Sequence, residues 1–264
     1  LTYDSSIVTE VIVTGGFAPN EDSIVMRGAS ILDNEAEADK HRVITQAVHE
    51  HGGRICLQVL HTGRYAYTKQ PVAPSPLKAP INPATPREMT EADIAKTIAD
   101  FAQCAAMARH AGYDGVEIMG SEGYLINEFV APRTNHRNDR WGGAFENRIR
   151  FALEVVRAVR ERVGREFIVI FRVSMLDLVD DGSTWDEVVA LAQALEERRY
   201  DLAILRALGA RRRDVVWVLV AESVTLAAAG AALGVALGHA AAATIGSWLP
   251  AAAPLAGAAW RPAP

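Results

Sequence analysis

Short apolar runs alternate with longer amphipathic segments over residues 11–195 of the chain. The apolar runs are rich in β-branched side chains and predict strands, whereas the amphipathic segments repeat their apolar residues at helical spacing. Regular alternation of strand and helix is typical of repeated β-α units around a parallel sheet, so we predict an α/β fold. The predicted strands are Val11–Thr14, Ile55–Leu60, Gly115–Met119 and Phe167–Val173.

Capping residues mark the helices between these strands. Thr90 with Asp93 three residues later predicts a helix start, and Gly112 and Gly164 predict helix ends. The predicted helices are Asn34–His51, Thr90–Ala111, Asn147–Val163 and a fourth from Ser183 or Thr184 to Ala194. Two long connections, Thr62–Arg87 and Gly120–Arg140, follow strand ends, where an α/β enzyme carries its chemistry.

The pattern changes sharply after residue 195. Of the 59 charged side chains, 57 lie in the first 214 residues, and Val215–Pro264 carries only Glu222 and Arg261. Such a tail differs in class from the polar body before it, so we predict two domains, residues 1–197 and 198–264. The second begins with an arginine-rich segment and continues as a hydrophobic, Ala/Gly-rich helical tail.

Residues 215–238 form an apolar run of 24 residues, which is long enough to cross a bilayer as a helix. Gly230, Gly234 and Gly238 recur every four residues and suit close packing against another membrane helix. Six arginines lie between residues 198 and 213, and they favour a cytoplasmic position for this segment before the apolar run. The alternative is an Ala/Gly-rich helix buried in a soluble protein.

Composition excludes several classes of site. Cys56 and Cys104 allow at most one disulfide bridge and cannot supply the four thiolates of an iron–sulfur cluster. We predict no metal site. The net charge of −5 argues against general affinity for nucleic acid. No signal peptide is visible, so we expect the α/β part in the cytoplasm, and the start at Leu1 suggests a fragment.

Two polar residues lie inside predicted strands. Gln58 needs a hydrogen-bond partner because burying an unpaired amide is costly, and that partner is either the backbone or a ligand. Arg172 is a permanent cation that requires an anionic or electron-rich partner. A structural ion pair and a ligand-binding role both satisfy this requirement.

The segment after the third predicted strand places a carboxylate, Glu122, two residues before a phenol, Tyr124. A phenol has an ordinary pKa near 10, so Tyr124 is a proton donor at neutral pH. Glu122 then positions a substrate or relays the proton. The alternative is that Tyr124 is a packed loop aromatic.

Four motifs together resemble the old yellow enzyme family of NADH:flavin oxidoreductases. They are GGFAPN at 15–20, LQVLHTGRY at 57–65, GSEGYLIN at 120–127, and RWGG at 140–143 with ENR at 146–148. The form MGSEGY at 119–124 is similar to the bacterial 2,4-dienoyl-CoA reductase branch. The resemblance covers residues 11–195.

This resemblance implies a (β/α)8 TIM barrel that holds FMN at the carboxyl ends of its strands and takes electrons from NAD(P)H. Gln58 corresponds to the glutamine that bonds the isoalloxazine edge, and Arg172 to the arginine near N1 and the C2 carbonyl. Tyr124 corresponds to the tyrosine that protonates the substrate, with Glu122 beside it. The implied reaction is reduction of a conjugated carbon–carbon double bond in a small-molecule or acyl-CoA substrate.

The chain also departs from the family. Only four β-α units, similar to strands two to five, are recognisable, so the barrel is partial. The strands whose loops hold the FMN phosphate are missing, and we therefore expect the truncated chain to be inactive.

Residues 199–238 resemble FtsX-like permeases of ABC transporters, with AILRALGA at 203–210 as the most specific part. A helix-turn-helix over residues 205–225 is a weaker alternative, since residues 215–220 lack a polar recognition face. The two resemblances predict a chimera joined near residues 195–200. The alternative functions are a membrane-anchored permease fragment, which contacts the inner membrane through residues 215–238, and a non-functional chimera.

Overall fold

A computed structural model of the chain describes residues 11–196. Its strands are β1 (Val11–Phe17), β2 (Arg54–Val59), β3 (Val72–Ala73), β4 (Arg87–Glu88), β5 (Gly115–Gly120) and β6 (Ile168–Val173). Its α-helices are α1 (Glu35–Glu50), α2 (Glu91–His110), α3 (Leu125–Val130), α4 (Phe145–Arg148), α5 (Arg150–Val163) and α6 (Trp185–Leu195). Two single-turn 3₁₀ helices, Glu21–Ser23 and Gly63–Tyr65, lie in the loops after β1 and β2.

The main sheet has the strand order β1-β2-β5-β6, and every pair in it is parallel. Each of the first three strands leads into a helix that returns the chain to the next strand, and β6 leads into α6; this alternation is the repeating unit of a β/α barrel. The predicted α/β class with four β-α units of a partial barrel is confirmed. Strands β3 and β4 form a separate two-stranded parallel ribbon within the long connection after β2.

Local capping explains why the helices begin where they do. The Thr90 hydroxyl accepts a hydrogen bond from the backbone N–H of Asp93, while the Asp93 carboxylate accepts one from the backbone N–H of Thr90. Thr184 and Glu187 repeat this capping box before α6. Each box satisfies two N–H groups that a helix start otherwise leaves unpaired.

Two elements differ from their predicted bounds by three residues. The first strand was predicted to end at Thr14, but β1 continues to Phe17, because a register shift between Val13 and Gly16 accommodates one extra residue of β1 and pairing with β2 resumes at Gly16. The third helix was predicted to begin at Asn147, but the chain instead forms the short α4, and α5 starts after Ile149.

Side chains alternate between the two faces of the sheet, and this alternation separates the core from the site. The face toward the helices is apolar and packs on α2 and α5; its contributors include Leu57, Val59, Val116 and Ile118. The opposite face corresponds to the inside of a barrel and carries Gln58, Glu117 and Arg172. These three polar side chains therefore lie together on the inner face of the sheet.

Several predictions lie outside the described residues. They are the domain of residues 198–264, the arginine-rich segment, the hydrophobic tail with its apolar run at 215–238, and the segment that resembles a permease. Among the helices of residues 11–196, none combines the length and apolar character needed to cross a bilayer.

Candidate active site

Three polar side chains from adjacent strands meet on the inner face of the sheet. Nε2 of Gln58 on β2 donates to Oε1 of Glu117 on β5, at 2.7 Å. Arg172 on β6 donates to the same carboxylate, with Nε 3.0 Å from Oε1 and Nη2 3.1 Å from Oε2. Glu117 thus joins the two residues that the sequence singles out, Gln58 and Arg172.

Strand register produces this arrangement. Gln58 is the register partner of Glu117, and Arg172 is the partner of Met119, two residues farther along β5. Residues two apart share a face, so the Arg172 side chain reaches back one step to Glu117. At Gly16, the β1 partner of Gln58, a Cβ atom would lie 2.5 Å from Cδ2 of Leu60 and 3.1 Å from Oε1 of Gln58. Glycine at this position leaves room for the amide.

The environment of Arg172 corrects one expectation. The sequence predicts a cation inside a buried strand, but the Arg172 side chain is 45% exposed, whereas the Glu117 side chain is 6% exposed. The reason is that β6 is an edge of the sheet within residues 11–196. The buried member of the pair is the Glu117 carboxylate, which the sequence pattern does not single out.

Tyr124 lies directly before α3, in the connection that follows β5. Its ring packs edge-on against Tyr65, with the ring centroids 6.2 Å apart and the planes at 81°. Burial raises the pKa of the Tyr124 phenol, and the negative charge of Glu122 and the neighbouring Tyr65 raise it further. The phenol is therefore held in its protonated, donating form at neutral pH.

Glu122 is an exposed residue in a left-handed backbone conformation, with φ of 63°. Its backbone N–H donates to Oγ of Ser174, 3.1 Å away, which ties this turn to the end of β6. Its carboxylate acts on Tyr124 through charge. This is consistent with a positioning role.

Glu128 on α3 is a further buried carboxyl group, and its position in the sequence does not single it out. Oε1 of Glu128 accepts a hydrogen bond from the backbone N–H of Arg64, at 3.0 Å, although the carboxyl group is fully buried. Burial raises the pKa of Glu128 to about 8, against the smaller opposing effects of that hydrogen bond and of the Arg64 charge. No single position in the motif LINEFV signals such burial.

His61 lies at the end of β2 and is buried and neutral. Burial and, to a smaller extent, the charge of Lys96 lower its pKa to about 3. Its Nδ1 accepts a hydrogen bond from the N–H of Gly63, at 3.1 Å. The imidazole therefore stabilises the turn Gly63–Tyr65, whose last residue is Tyr65.

Gln58 and Arg172 present polar groups of the kind that the edge of a planar heterocycle requires. No protein group of residues 11–196 bonds Oε1 of Gln58 or Nη1 of Arg172, so an acceptor and a cationic donor remain available on the inner face. A flavin edge with carbonyl oxygens and ring nitrogens needs such a set. The chemistry of Gln58 and Arg172 therefore suits the edge of a flavin ring, and we assign no phosphate site among residues 11–196.

Comparison with known proteins finds a matching family and related proteins. Residues 3–226 match the NADH:flavin oxidoreductase / NADH oxidase family. A metal reductase from Desulforamulus reducens is 43% identical over 174 residues, which cover 64% of this chain and 26% of that protein. The match to the family extends past the predicted domain boundary at residue 197.

Two solved structures share the fold. A 2-naphthoyl-CoA reductase in complex with 2-naphthoyl-CoA superposes with a TM-score of 0.68 at 29% identity, over 70% of this chain and 31% of that one. An old yellow enzyme homologue from Zymomonas mobilis gives a TM-score of 0.65 at 32% identity, over 70% of this chain and 56% of that one. The chain thus spans between a quarter and about half of the length of these relatives.

Proposed function

The chain belongs to the NADH:flavin oxidoreductase / NADH oxidase family, and we propose that it binds FMN and reduces a conjugated carbon–carbon double bond with electrons from NADH or NADPH. The observation that carries this proposal is the arrangement of Gln58 and Arg172 around the Glu117 carboxylate. An amide and a guanidinium fixed side by side at the carboxyl ends of parallel strands suit one planar, polar ring edge.

In this proposal each residue has a separate task. Glu117 fixes the orientation of Gln58 and Arg172, and their remaining polar atoms hold the edge of the ring. FMN, when bound, supplies the electron pair for the reduction. Tyr124 donates a proton from its hydroxyl to the substrate, and its raised pKa keeps that proton in place at neutral pH. Glu122 maintains this state of the phenol by its negative charge.

The finer part of the proposal concerns the substrate, for which we propose a conjugated acyl-CoA of the 2,4-dienoyl type. The motif MGSEGY at 119–124 supports this choice, since it lacks the histidine and asparagine pairs with which many relatives bind a carbonyl oxygen. The structural similarity to a reductase of 2-naphthoyl-CoA, which is also a conjugated acyl-CoA thioester, favours an acyl-CoA substrate.

Anaerobic mixing tests this function. The full chain is loaded with FMN, reduced with NADH or NADPH, and mixed with a 2,4-dienoyl-CoA or with a simple cyclic enone. We expect the visible flavin absorbance to return faster with the dienoyl-CoA. If the flavin absorbance returns as fast with buffer alone as with either substrate, ene reduction is contradicted. If it returns faster with the enone than with the dienoyl-CoA, the choice of acyl-CoA is contradicted.

Residues 198–264 carry a separate proposal, a membrane-anchored piece of a permease fused to a catalytically inactive half barrel. It is supported by the apolar run at 215–238 and by the six arginines before it. Carbonate extraction of membranes from expressing cells tests the anchor, because a chain recovered wholly in the supernatant has no spanning segment. Flavin reoxidation by the substrate would contradict the inactivity.

A further inference from the structure

Glu128 lies one helical turn after Tyr124, and the two are linked through the backbone. The N–H of Glu128 donates to the carbonyl oxygen of Tyr124, at 2.8 Å. The side chain of Glu128 points away from solvent and lies under the turn Gly63–Tyr65, where it accepts from the N–H of Arg64. Glu128 therefore links the turn that follows β2 to the start of α3.

The absence of a side chain at Gly63 allows this contact. A Cβ atom at Gly63 would lie 2.5 Å from both carboxylate oxygens of Glu128, closer than real Cβ atoms approach other heavy atoms. Gly63 also has a φ of +58°, which residues other than glycine rarely adopt. The turn and the carboxyl group are thus fitted to each other.

The same turn delivers Tyr65 to Tyr124. Tyr65 ends the turn and presents its ring edge-on to that of Tyr124. The Arg64 guanidinium lies 5.2 Å from the Tyr65 ring centroid, and Nη2 of Arg64 is 3.4 Å from the Tyr65 hydroxyl. Tyr65 therefore contacts both Arg64 and Tyr124.

We propose that Glu128 is a positioning residue for Tyr124, because it holds the turn Gly63–Tyr65 so that Tyr65 packs against the Tyr124 ring and shields it from water. This inference deepens the proposed function and rests on it for the catalytic consequence. The packing itself is independent of any ligand. If Tyr124 is the proton donor, loss of the anchor misplaces it, and kcat falls by about tenfold to a hundredfold, while kcat/KM for NAD(P)H, which reports only the reduction of FMN, stays unchanged.

Nuclear magnetic resonance of the full chain tests the packing without flavin or substrate. Tyrosine labelled with carbon-13 at the ζ carbon is incorporated, and the Tyr124 resonance is identified as the signal lost in Tyr124→Phe. In Glu128→Ala and Tyr65→Leu we expect this resonance to shift and its ionisation midpoint to move downward, because water then reaches the phenol. Glu161→Ala, which removes an exposed carboxylate of α5, should leave both unchanged.

An unchanged midpoint in a folded Glu128→Ala chain would overturn the proposal. If that variant does not fold, Glu128→Gln and Tyr65→Leu decide. Glu128→Gln keeps an acceptor oxygen for the Arg64 N–H and should resemble the wild type, whereas an unchanged midpoint in Tyr65→Leu would overturn the proposal. Failure to bind FMN would count against the proposed function alone, since this titration requires no flavin.

Discussion

The Arg172 guanidinium contacts both carboxylate oxygens of Glu117, with Nε 3.0 Å from Oε1 and Nη2 3.1 Å from Oε2. This two-point contact joins neighbouring strands and fixes the guanidinium plane in a way that a lysine ammonium cannot. Glu117 is almost fully buried, and Arg172 and Gln58 are its side-chain hydrogen-bond partners. The pair is therefore a structural link between β5 and β6, and in the proposed function it also orients the cation that contacts the flavin.

Arg172→Ala should destabilise the folded chain. The substitution leaves a buried carboxylate with one partner, and since Arg172 is half exposed, the loss should be about 1–3 kcal/mol, between the values typical of surface and buried pairs. Urea unfolding measures it. Adding Glu117→Gln should restore part of the loss, because a neutral amide needs no cation. Equal stability of Arg172→Ala and the wild type would contradict the structural role.

Gly63→Ala should cost more than Gly52→Ala. Both glycines have positive φ, +58° and +75°, so each substitution carries a backbone cost of about 1–2 kcal/mol. A Cβ at Gly52 meets nothing within 4 Å, whereas one at Gly63 collides with Glu128. Overpacking should add about 1–3 kcal/mol to the loss of unfolding free energy at Gly63. Equal losses would contradict the close fit around Glu128.

Glu128 should make the folded state less stable as pH rises. Its pKa is raised to about 8 in the folded state, against an ordinary value of 4.5, so the folded state binds more protons between these values. The stability that Glu128 contributes is fully present below pH 4.5 and is lost as the pH rises toward 8, by a few kcal/mol at most. Compared with Glu128→Gln in urea unfolding at several pH values, the wild type should lose stability over this window. Parallel curves would contradict the raised pKa.

Tyr124→Phe should separate the two halves of the proposed reaction. The substitution removes the hydroxyl but retains the ring, so the packing against Tyr65 is preserved. Substrate reduction should fall by about 10²–10⁴-fold, the usual contribution of a positioned proton donor. Reduction of bound FMN by NADH or NADPH, followed by stopped-flow absorbance, should continue at the wild-type rate. Unaltered substrate reduction would exclude Tyr124 as the donor.

Periodicity predicted the framework of residues 11–196 well, because the signal for each element is local. Four apolar runs became the strands of the main sheet, and the Thr90 and Thr184 capping boxes mark helix starts in the sequence itself. The strand predicted to end at Thr14 continues to Phe17, because pairing with β2 resumes after a register shift.

The site was only partly predictable, because its contacts are distant in sequence. Gln58 and Arg172 could be singled out as polar residues within apolar runs, but their shared partner, Glu117, is 59 and 55 residues away from them. Glu117 also lies in the run GVEIM, where apolar neighbours predict only a strand. Glu128 was missed for a related reason, since its burial depends on the turn 64 residues earlier.

Binding of FMN by the full chain tests the central claim most directly. Quenching of flavin fluorescence gives the dissociation constant for the wild type, for Gln58→Ala and Arg172→Ala, and for Arg157→Ala, which removes an exposed arginine of α5. We predict saturable binding that Gln58→Ala and Arg172→Ala each weaken by about tenfold or more, the loss expected for one hydrogen bond or charge contact, while Arg157→Ala binds as the wild type does. Absence of binding by the wild type, or equal affinity in all four proteins, would contradict the assignment of the inner face as the flavin site.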